Sequence, residues 1–278
     1  MATVAELVRI GIQKLSDTSD SARVDVEVLL CHLLSKPRSF LFTWPEHEVS
    51  SAQSQQFYDW LAQRCEGQPV AYLVGRRDFY SHEFLVSSDT LIPRADTEIL
   101  VDAVLARLPE SEECRVADLG TGTGAIAISL ALARPHWQLD AVDFSVAILD
   151  LVQRNVSRLN ARNVRILQSN WCARLEGEFH AIVSNPPYIA EDDKHLQQGD
   201  VRFEPRSALT AGADGLDDIR IIVEQSKAHL LHKGLLALEH GYDQGEAVRN
   251  IFSAHGYARI ETLLDLGGRD RVTLGYAD

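Results

Sequence analysis

The chain has 278 residues, 27 basic and 40 acidic side chains, and a formal net charge of −13. Apolar residues make up 45% and charged residues 24%, which excludes extensive disorder, a collagen-like fibre and a coiled-coil rod. The acidic balance disfavours tight, sequence-independent binding to nucleic acid. No apolar run approaches the roughly 20 residues of a membrane span, so we expect a soluble, cytoplasmic protein with no membrane partner.

The length predicts about two domains. Apolar residues recur at helical spacing from residue 3 to about 66, which predicts a helical N-terminal domain over residues 1–68. Residues 69–93 contain a short-strand pattern with a turn at the Ser81-His82 step, and we interpret them as a linker with a β-hairpin. Residues 94–278 form the predicted third segment.

This third segment begins with a helix near 94–108 and continues with apolar strands that alternate with helices. Such alternation predicts an α/β domain, with a mostly parallel sheet covered by helices on both faces. The predicted strands are 115–119, 138–142, 164–167, 181–184, 235–239, 259–264 and 271–275. The last two follow each other without a helix, which predicts an edge hairpin that turns near Gly267 and Gly268.

The cysteines and histidines do not predict a metal site. The four cysteines lie far apart and form no C-x-x-C pair, and among the ten histidines only His229 and His232 have H-x-x-H spacing, while none has H-E-x-x-H spacing. We therefore expect neither a disulfide framework nor a bound metal.

A glycine-rich loop follows the first predicted strand. Residues 115–133 read RVADLGTGTGAIAISLALA, so Gly120, Gly122 and Gly124 separate a strand from a helix. Glycines there allow the backbone to approach a ligand at the carboxyl end of the sheet. The loop also satisfies the dinucleotide-binding fingerprint, with Asp143 as the ribose-binding acid. Asp118 beside the loop favours a cationic ligand over a pyrophosphate.

A second motif ends another predicted strand. Residues 181–188 read AIVSNPPY, and the two prolines force the chain out of the sheet. The side-chain oxygen of Asn185 and the backbone carbonyl of Pro186 can accept both hydrogens of a planar NH₂ group. The ring of Tyr188 can lie against that plane.

Together these motifs resemble a known family. The D-x-G-x-G-x-G run at 118–124 is similar to the first motif of class I S-adenosylmethionine-dependent methyltransferases, and Asn-Pro-Pro-Tyr to the motif of those that methylate a conjugated NH₂ nitrogen. With LIPRADTE at 91–98, RFEPRSAL at 202–209, DGL at 214–216 and LEHGYDQGEAVRNIF at 238–252, the whole chain resembles the release factor glutamine methyltransferases of the HemK/PrmC family.

The resemblance implies a seven-stranded, Rossmann-like methyltransferase domain. It implies methyl transfer from S-adenosylmethionine, with S-adenosylhomocysteine as product, to the glutamine of the Gly-Gly-Gln motif in class I peptide chain release factors, giving N5-methylglutamine. The helical domain would help to recognise the release factor. We expect a monomer that does not bind nucleic acid directly.

The resemblance also assigns roles to residues. We expect Asn185, Pro186, Pro187 and Tyr188 to hold the glutamine, and Asp143 to hold the ribose of the cofactor. Asp118 would order the loop or bind the cofactor ammonium through water. Asn170 and Trp171 would contact adenine, although Trp171 is equally interpreted as a core residue; Arg94 and Glu98 either shape the glutamine pocket or form salt bridges. The remaining cofactor contacts would come from Gly120, Thr121, Gly122, Thr123 and Gly124, and Asn185 would also border the cofactor.

Three other functions stay open at this point. One is an N6-adenine methyltransferase acting on DNA or RNA, which would use the same Asn-Pro-Pro-Tyr motif. Another is a nicotinamide-dependent dehydrogenase, which would explain the glycine loop and leave that motif without a role. The third is a non-catalytic adaptor that binds a release factor.

Overall fold

A computed structural model describes residues 2–278, which separate into two compact units. The first unit contains residues up to Arg76 together with His195–Phe203, and the second contains Arg77–Lys194 and Glu204–Asp278. This division differs from the predicted boundaries, because a segment of nine residues that follows the Asn-Pro-Pro-Tyr motif belongs to the first unit.

The first unit is mainly helical. Its elements are β1 (Ala2–Thr3), α1 (Val4–Leu15), α2 (Ala22–Leu34), α3 (Arg38–Thr43), β2 (Glu48–Val49), α4 (Ser51–Cys65) and α5 (Val70–Val74). A capping box starts α1, where the Thr3 side chain accepts the Glu6 N–H and the Glu6 carboxylate accepts the Thr3 N–H. Apolar side chains from α1, α2 and α4 share one core that includes Leu7, Leu29 and Phe57.

A buried arginine joins the segment 195–203 to these helices. The side chain of Arg64 donates to Asp25 at 2.7 Å and to Asp200 at 2.8 Å. Arg202 donates to the backbone carbonyl of Glu66 at 3.0 Å. These bonds explain why a segment so distant in sequence belongs to the helical unit.

The second unit is built on a seven-stranded sheet. A small hairpin, β3 (Arg76–Phe79) and β4 (His82–Leu85), and α6 (Glu98–Arg107) precede it. The remaining elements are β5 (Arg115–Leu119), α7 (Ala125–Ala133), β6 (Gln138–Asp143), α8 (Val146–Leu159), β7 (Val164–Gln168), β8 (Phe179–Ser184), α9 (Asp217–Ser226), β9 (Leu230–Glu239), α10 (Gly245–Ala254), β10 (Tyr257–Leu264) and β11 (Asp270–Ala277).

The strand order is β10-β11-β9-β8-β5-β6-β7. All neighbours run parallel except β11, which is antiparallel to both β9 and β10. The predicted mostly parallel sheet with a terminal hairpin is thus confirmed. Apolar side chains form one buried cluster with Val116 and Trp137, and another with Leu236 and Phe252, which leaves the strand ends for polar residues.

Two differences from the predicted elements concern their ends. The turn of the first hairpin lies at Tyr80 and Ser81, one residue before the predicted step, and both residues have positive φ (48° and 63°) as a type I′ turn requires. β9 begins at Leu230 rather than 235, since Leu230 pairs with Phe179 across an interruption in the ladder.

Candidate active site

The glycine loop lies between β5 and α7 at the carboxyl end of the sheet. Gly120 and Gly122 have φ of 66° and 56°, which side-chain-bearing residues rarely adopt. No atom lies within 4 Å of a Cβ built on Gly122. The loop therefore leaves open space beside its backbone, as a site for a ligand requires.

Asp143 ends β6 and faces this loop. Its carboxylate accepts the backbone N–H of Gly122 at 3.3 Å and that of Ser145 at 3.1 Å. Burial raises the pKa of Asp143, although the backbone hydrogen bonds act in the opposite direction. The structure thus brings the predicted ribose-binding acid and the loop together.

Asp118, by contrast, is entirely buried beneath the loop. One carboxylate oxygen accepts the Thr121 hydroxyl at 2.6 Å and the Ala127 N–H at 3.1 Å, so this side chain joins the loop to the start of α7. Burial raises the pKa of Asp118 to about 7. Of its two predicted roles, the contacts in the structure correspond to the ordering of the loop.

A cavity of about 470 Å³ opens beside the loop. Its polar lining includes Asp143 and Asn185, and its apolar lining includes Phe144, Ile148 and Trp171. The Phe144 ring is 63% exposed although it is large and apolar, so it offers a flat surface to a bound molecule. The predicted site residues that line the cavity are Arg94, Gly120, Thr121, Gly122, Thr123, Asp143, Asn170, Trp171, Asn185 and Pro187.

Five predicted residues do not line this cavity: Asp118, Gly124, Glu98, Pro186 and Tyr188. Gly124 caps α7 with φ of 80°. Glu98 accepts the backbone N–H of Tyr80 at 2.9 Å and so holds the turn of the first hairpin. Pro186 is buried.

The Asn-Pro-Pro-Tyr motif leaves β8 and is held by polar contacts. The Asn185 side-chain NH₂ donates to the Thr97 hydroxyl oxygen at 3.1 Å. The Tyr188 hydroxyl donates to the Glu239 carboxylate at 3.3 Å, and the Tyr188 N–H donates to the Leu209 carbonyl at 3.2 Å. The amide nitrogen of Asn185 is thus engaged by the protein, which leaves its oxygen as the end that can accept.

Glu239 is the fully buried carboxylate of this cluster, at the end of β9. Burial raises its pKa to about 7, while the nearby Thr97 hydroxyl, the charge of Arg271 and the Tyr188 hydroxyl favour the ionised form. Burial of the Tyr188 hydroxyl and the charge of Glu239 raise the pKa of the Tyr188 phenol. Tyr188 is therefore a neutral hydrogen-bond donor at physiological pH.

Arg94 and Trp171 each combine a cavity position with a structural contact. One nitrogen of Arg94 lies 2.7 Å from both carboxylate oxygens of Glu204, whose side chain is fully buried, so Arg94 forms a salt bridge with Glu204 and not with Glu98. The ring of Trp171 lines the cavity and packs on the second core cluster, and it lies 3.1 Å from a Cβ built on Gly120.

Sequence reasoning missed three residues at the site: Thr97, Glu239 and Asn155. Asn155 is fully buried in α8, where its amide bonds the backbone of Leu85 in both directions (2.8 and 3.0 Å) and the Thr123 carbonyl at 2.9 Å. It therefore ties the glycine loop to β4. A signal existed for two of them, since Glu239 ends an apolar strand and Asn155 interrupts an apolar helix face.

Within residues 2–278, no group of three or more His, Cys, Asp or Glu side chains is arranged to hold a metal ion. No helix in the same part of the chain is long and apolar enough to cross a membrane.

Two family models match the helical N-terminal part and the first part of the sheet domain, and curated relatives match nearly the whole chain. The PrmC N-terminal domain matches residues 6–75 and the Methyltransferase small domain matches residues 95–203. A release factor glutamine methyltransferase of Pseudomonas aeruginosa is 52% identical over 258 residues, which cover 92% of this chain and 93% of that protein. The chain belongs to the release factor glutamine methyltransferase family.

Other members of the family agree. The Escherichia coli K12 enzyme is 51% identical, covering 92% of this chain and 93% of its own, and the Coxiella burnetii enzyme is 42% identical, covering 98% of each. The match to these relatives does not favour the alternative functions of adenine methyltransferase, dehydrogenase or adaptor for this chain.

Solved structures confirm the fold. A Pyrococcus furiosus methyltransferase superposes with a TM-score of 0.54 at 16% identity, covering 78% of this chain and 98% of that one. A 16S rRNA methyltransferase of T. thermophilus superposes with a TM-score of 0.52 at 19% identity, covering 73% of this chain and 50% of that one. The chain therefore has the α/β class I methyltransferase fold. The curated relatives and the matching methyltransferase family model show that it is an S-adenosylmethionine-dependent methyltransferase.

Proposed function

We propose that this enzyme methylates the side-chain amide nitrogen of the glutamine in the Gly-Gly-Gln motif of class I release factors, giving N5-methylglutamine. The observation that carries the proposal is the position of Asn185. Its amide lines the cavity beside the glycine loop and has its nitrogen bound to Thr97, in a chain of the release factor glutamine methyltransferase family.

The cavity has the chemistry that S-adenosylmethionine requires. The open space beside Gly122 leaves room for a ligand against the backbone, the Asp143 carboxylate can accept ribose hydroxyls, and Phe144, Ile148 and Trp171 supply apolar surface for adenine. S-adenosylmethionine is the cofactor, and when bound it supplies a methyl group activated by a sulfonium.

The protein's own residues orient the nucleophile. A carboxamide nitrogen is a poor nucleophile because its lone pair is delocalised into the carbonyl. In our proposal Asn185 Oδ1 and the Pro186 backbone carbonyl each accept one N–H of the substrate glutamine. Each bond contributes only about 0.5–1.5 kcal/mol, whereas correct placement of reacting atoms can lower a barrier by about 7–11 kcal/mol. Positioning therefore dominates, and we assign no general base.

The proton lost by the nitrogen after methyl transfer is acidic and passes to water. The half-buried Tyr188 is held in the motif by its hydrogen bonds to the Glu239 carboxylate and the Leu209 carbonyl. The contribution of Tyr188 in this scheme is to fix the direction in which the chain leaves β8, so that the two acceptors beside it keep their orientation.

The test is a methyl-transfer assay with labelled S-adenosylmethionine and purified release factor. We expect the label in the Gly-Gly-Gln peptide, located by fragmentation mass spectrometry at the glutamine side chain. A release factor whose motif glutamine is replaced by asparagine is the matched control and should stay unlabelled. DNA and ribosomal RNA are offered as substrates in parallel reactions. Transfer of the label to either of them, together with no transfer to the release factor, would contradict the proposal.

The cytoplasmic location, the monomeric state and the absence of direct nucleic-acid binding stay predictions from the sequence. The acidic net charge of −13 supports the last of these. Size-exclusion chromatography with light scattering tests the monomer.

A further inference from the structure

The Asn-Pro-Pro-Tyr motif alone does not determine which end of the Asn185 amide faces the cavity. An asparagine amide has an acceptor end and a donor end of nearly the same shape, and rotation by half a turn exchanges them. Only the oxygen can accept an N–H of a substrate carboxamide. With the NH₂ end in the cavity, two donors would face each other and the substrate would be repelled.

The neighbour of the Asn185 amide is the Thr97 hydroxyl, at 3.1 Å from Nδ2. A hydroxyl both donates and accepts, so this contact alone does not select an end of the amide. The selection depends on where the Thr97 hydrogen points. If it points away from Asn185, the hydroxyl can only accept from the amide NH₂, and the amide oxygen faces the cavity.

Glu239 supplies the partner that directs this hydrogen. An ionised carboxylate only accepts, and Glu239 Oε2 is buried and accepts no hydrogen bond from any other group within residues 2–278, while the nearby Thr97 hydroxyl favours the ionised form of this carboxylate. Thr97 and Glu239 are 5% and 1% exposed, so water does not compete freely for either group. The Tyr188 hydroxyl donates to the same carboxylate at 3.3 Å.

We propose that Glu239 is a positioning residue that fixes the acceptor end of Asn185 towards the substrate, acting through the hydroxyl of Thr97. The carboxylate holds both polar ends of the Asn-Pro-Pro-Tyr motif, Asn185 through Thr97 and Tyr188 directly. A protonated Glu239 would reverse the order of donors: its O–H would donate to Thr97, Thr97 would donate to the Asn185 oxygen, and the NH₂ end would turn into the cavity.

The groups around Glu239 set the pH at which this reversal occurs. Burial, which is the largest influence, and the nearby Asp96 carboxylate raise its pKa, while Thr97, Arg271 and Tyr188 lower it, and the outcome is about 7. Arg271 is itself fixed by Asp265 at 3.2 Å and Asp96 at 3.5 Å. The functional form is ionised, so turnover should fall as the pH drops through this value.

The first experiment reads the amide directly and does not depend on activity. The chain contains six asparagines, so selective ¹⁵N-asparagine labelling gives few side-chain NH₂ signals, and the one missing in Asn185→Ala identifies Asn185. From about pH 6 to about pH 8 the Asn185 signals should shift with a midpoint near 7 in the wild type and stay constant in Glu239→Gln. Signals that do not titrate in the wild type would overturn the proposal.

The second experiment uses the Thr97→Val and Thr97→Ser pair, because valine keeps the shape without the hydroxyl and serine keeps the hydroxyl. This experiment rests on the proposed function. We expect at least a tenfold lower kcat for Thr97→Val on release factor, recovery in Thr97→Ser, and an unchanged Kd for S-adenosylmethionine in both. If Thr97→Val has the same kcat as the wild type, the positioning role is refuted. If the wild-type enzyme itself transfers no label to release factor, the proposed function is refuted, and the positioning role is then decided by the NMR titration alone.

Discussion

Replacement of Asp143 tests the cofactor half of the site most sharply. The carboxylate lines the cavity and is also bound to the N–H groups of Gly122 and Ser145. A hydrogen bond to a charged acceptor is worth about 1.5–3 kcal/mol. Loss of the carboxylate in Asp143→Ala should therefore weaken S-adenosylmethionine binding roughly 10- to 150-fold.

Two variants separate direct binding from ordering of the loop. Asp143→Asn retains one oxygen that can accept the Gly122 N–H but removes the charge, so its loss of affinity should be smaller than that of Asp143→Ala. Asp150→Ala makes the same change of charge at an exposed position of α8 and should bind normally. Titration calorimetry gives the Kd of each protein. Equal dissociation constants for wild type and Asp143→Ala would refute the role of this carboxylate.

Three further predictions concern neighbouring residues. Asn185→Ala should reduce turnover strongly and leave the Kd for S-adenosylmethionine unchanged, and a similar loss in both would contradict its role towards the substrate. Asn155→Ala removes three buried hydrogen bonds to Leu85 and Thr123, so urea unfolding should show a loss of about 2–4 kcal/mol; a loss under about 0.5 kcal/mol would contradict the tie between loop and hairpin. The pKa of Asp118 is about 7 in the folded state and 3.8 ordinarily, so the native state binds the proton more tightly than the unfolded state. The wild type should therefore lose stability as the pH rises between these two values, and the stability of Asp118→Asn relative to wild type should rise over the same range and then level off. A difference between the two proteins that stays constant with pH in thermal scans would contradict this.

The sequence predicted what depends on neighbours along the chain. Asp143 ends an apolar strand, and the glycine loop and Asn185 each follow one directly; in a parallel sheet such positions share one edge. Their convergence on one cavity could therefore be inferred from the strand pattern together with the two motifs.

Contacts between distant segments could not be predicted in the same way. Asn185 and Thr97 are 88 residues apart, and Tyr188 and Glu239 are 51 apart. A salt bridge was one of the two roles predicted for Arg94, but the sequence did not identify its partner, which in the structure is Glu204. An ion pair depends on the path of the intervening loop, which local patterns do not encode.

Tyr188 illustrates a related gap. The motif suggested an aromatic face presented to the substrate, yet the ring lies half-buried against the second core cluster and its hydroxyl bonds Glu239. A sequence shows that a ring is present, whereas the direction of the ring depends on which buried acceptor lies within its reach.

The nine residues His195–Phe203 have a consequence for dissecting this protein. These residues belong to the helical unit, whereas the stretches before and after them belong to the sheet unit. The chain therefore passes from one unit to the other three times. No single cut yields two intact pieces. A fragment that starts at residue 77 would carry this excursion without Arg64, the buried cation that binds Asp200, and would leave a bare loop shortly after the motif that carries Asn185.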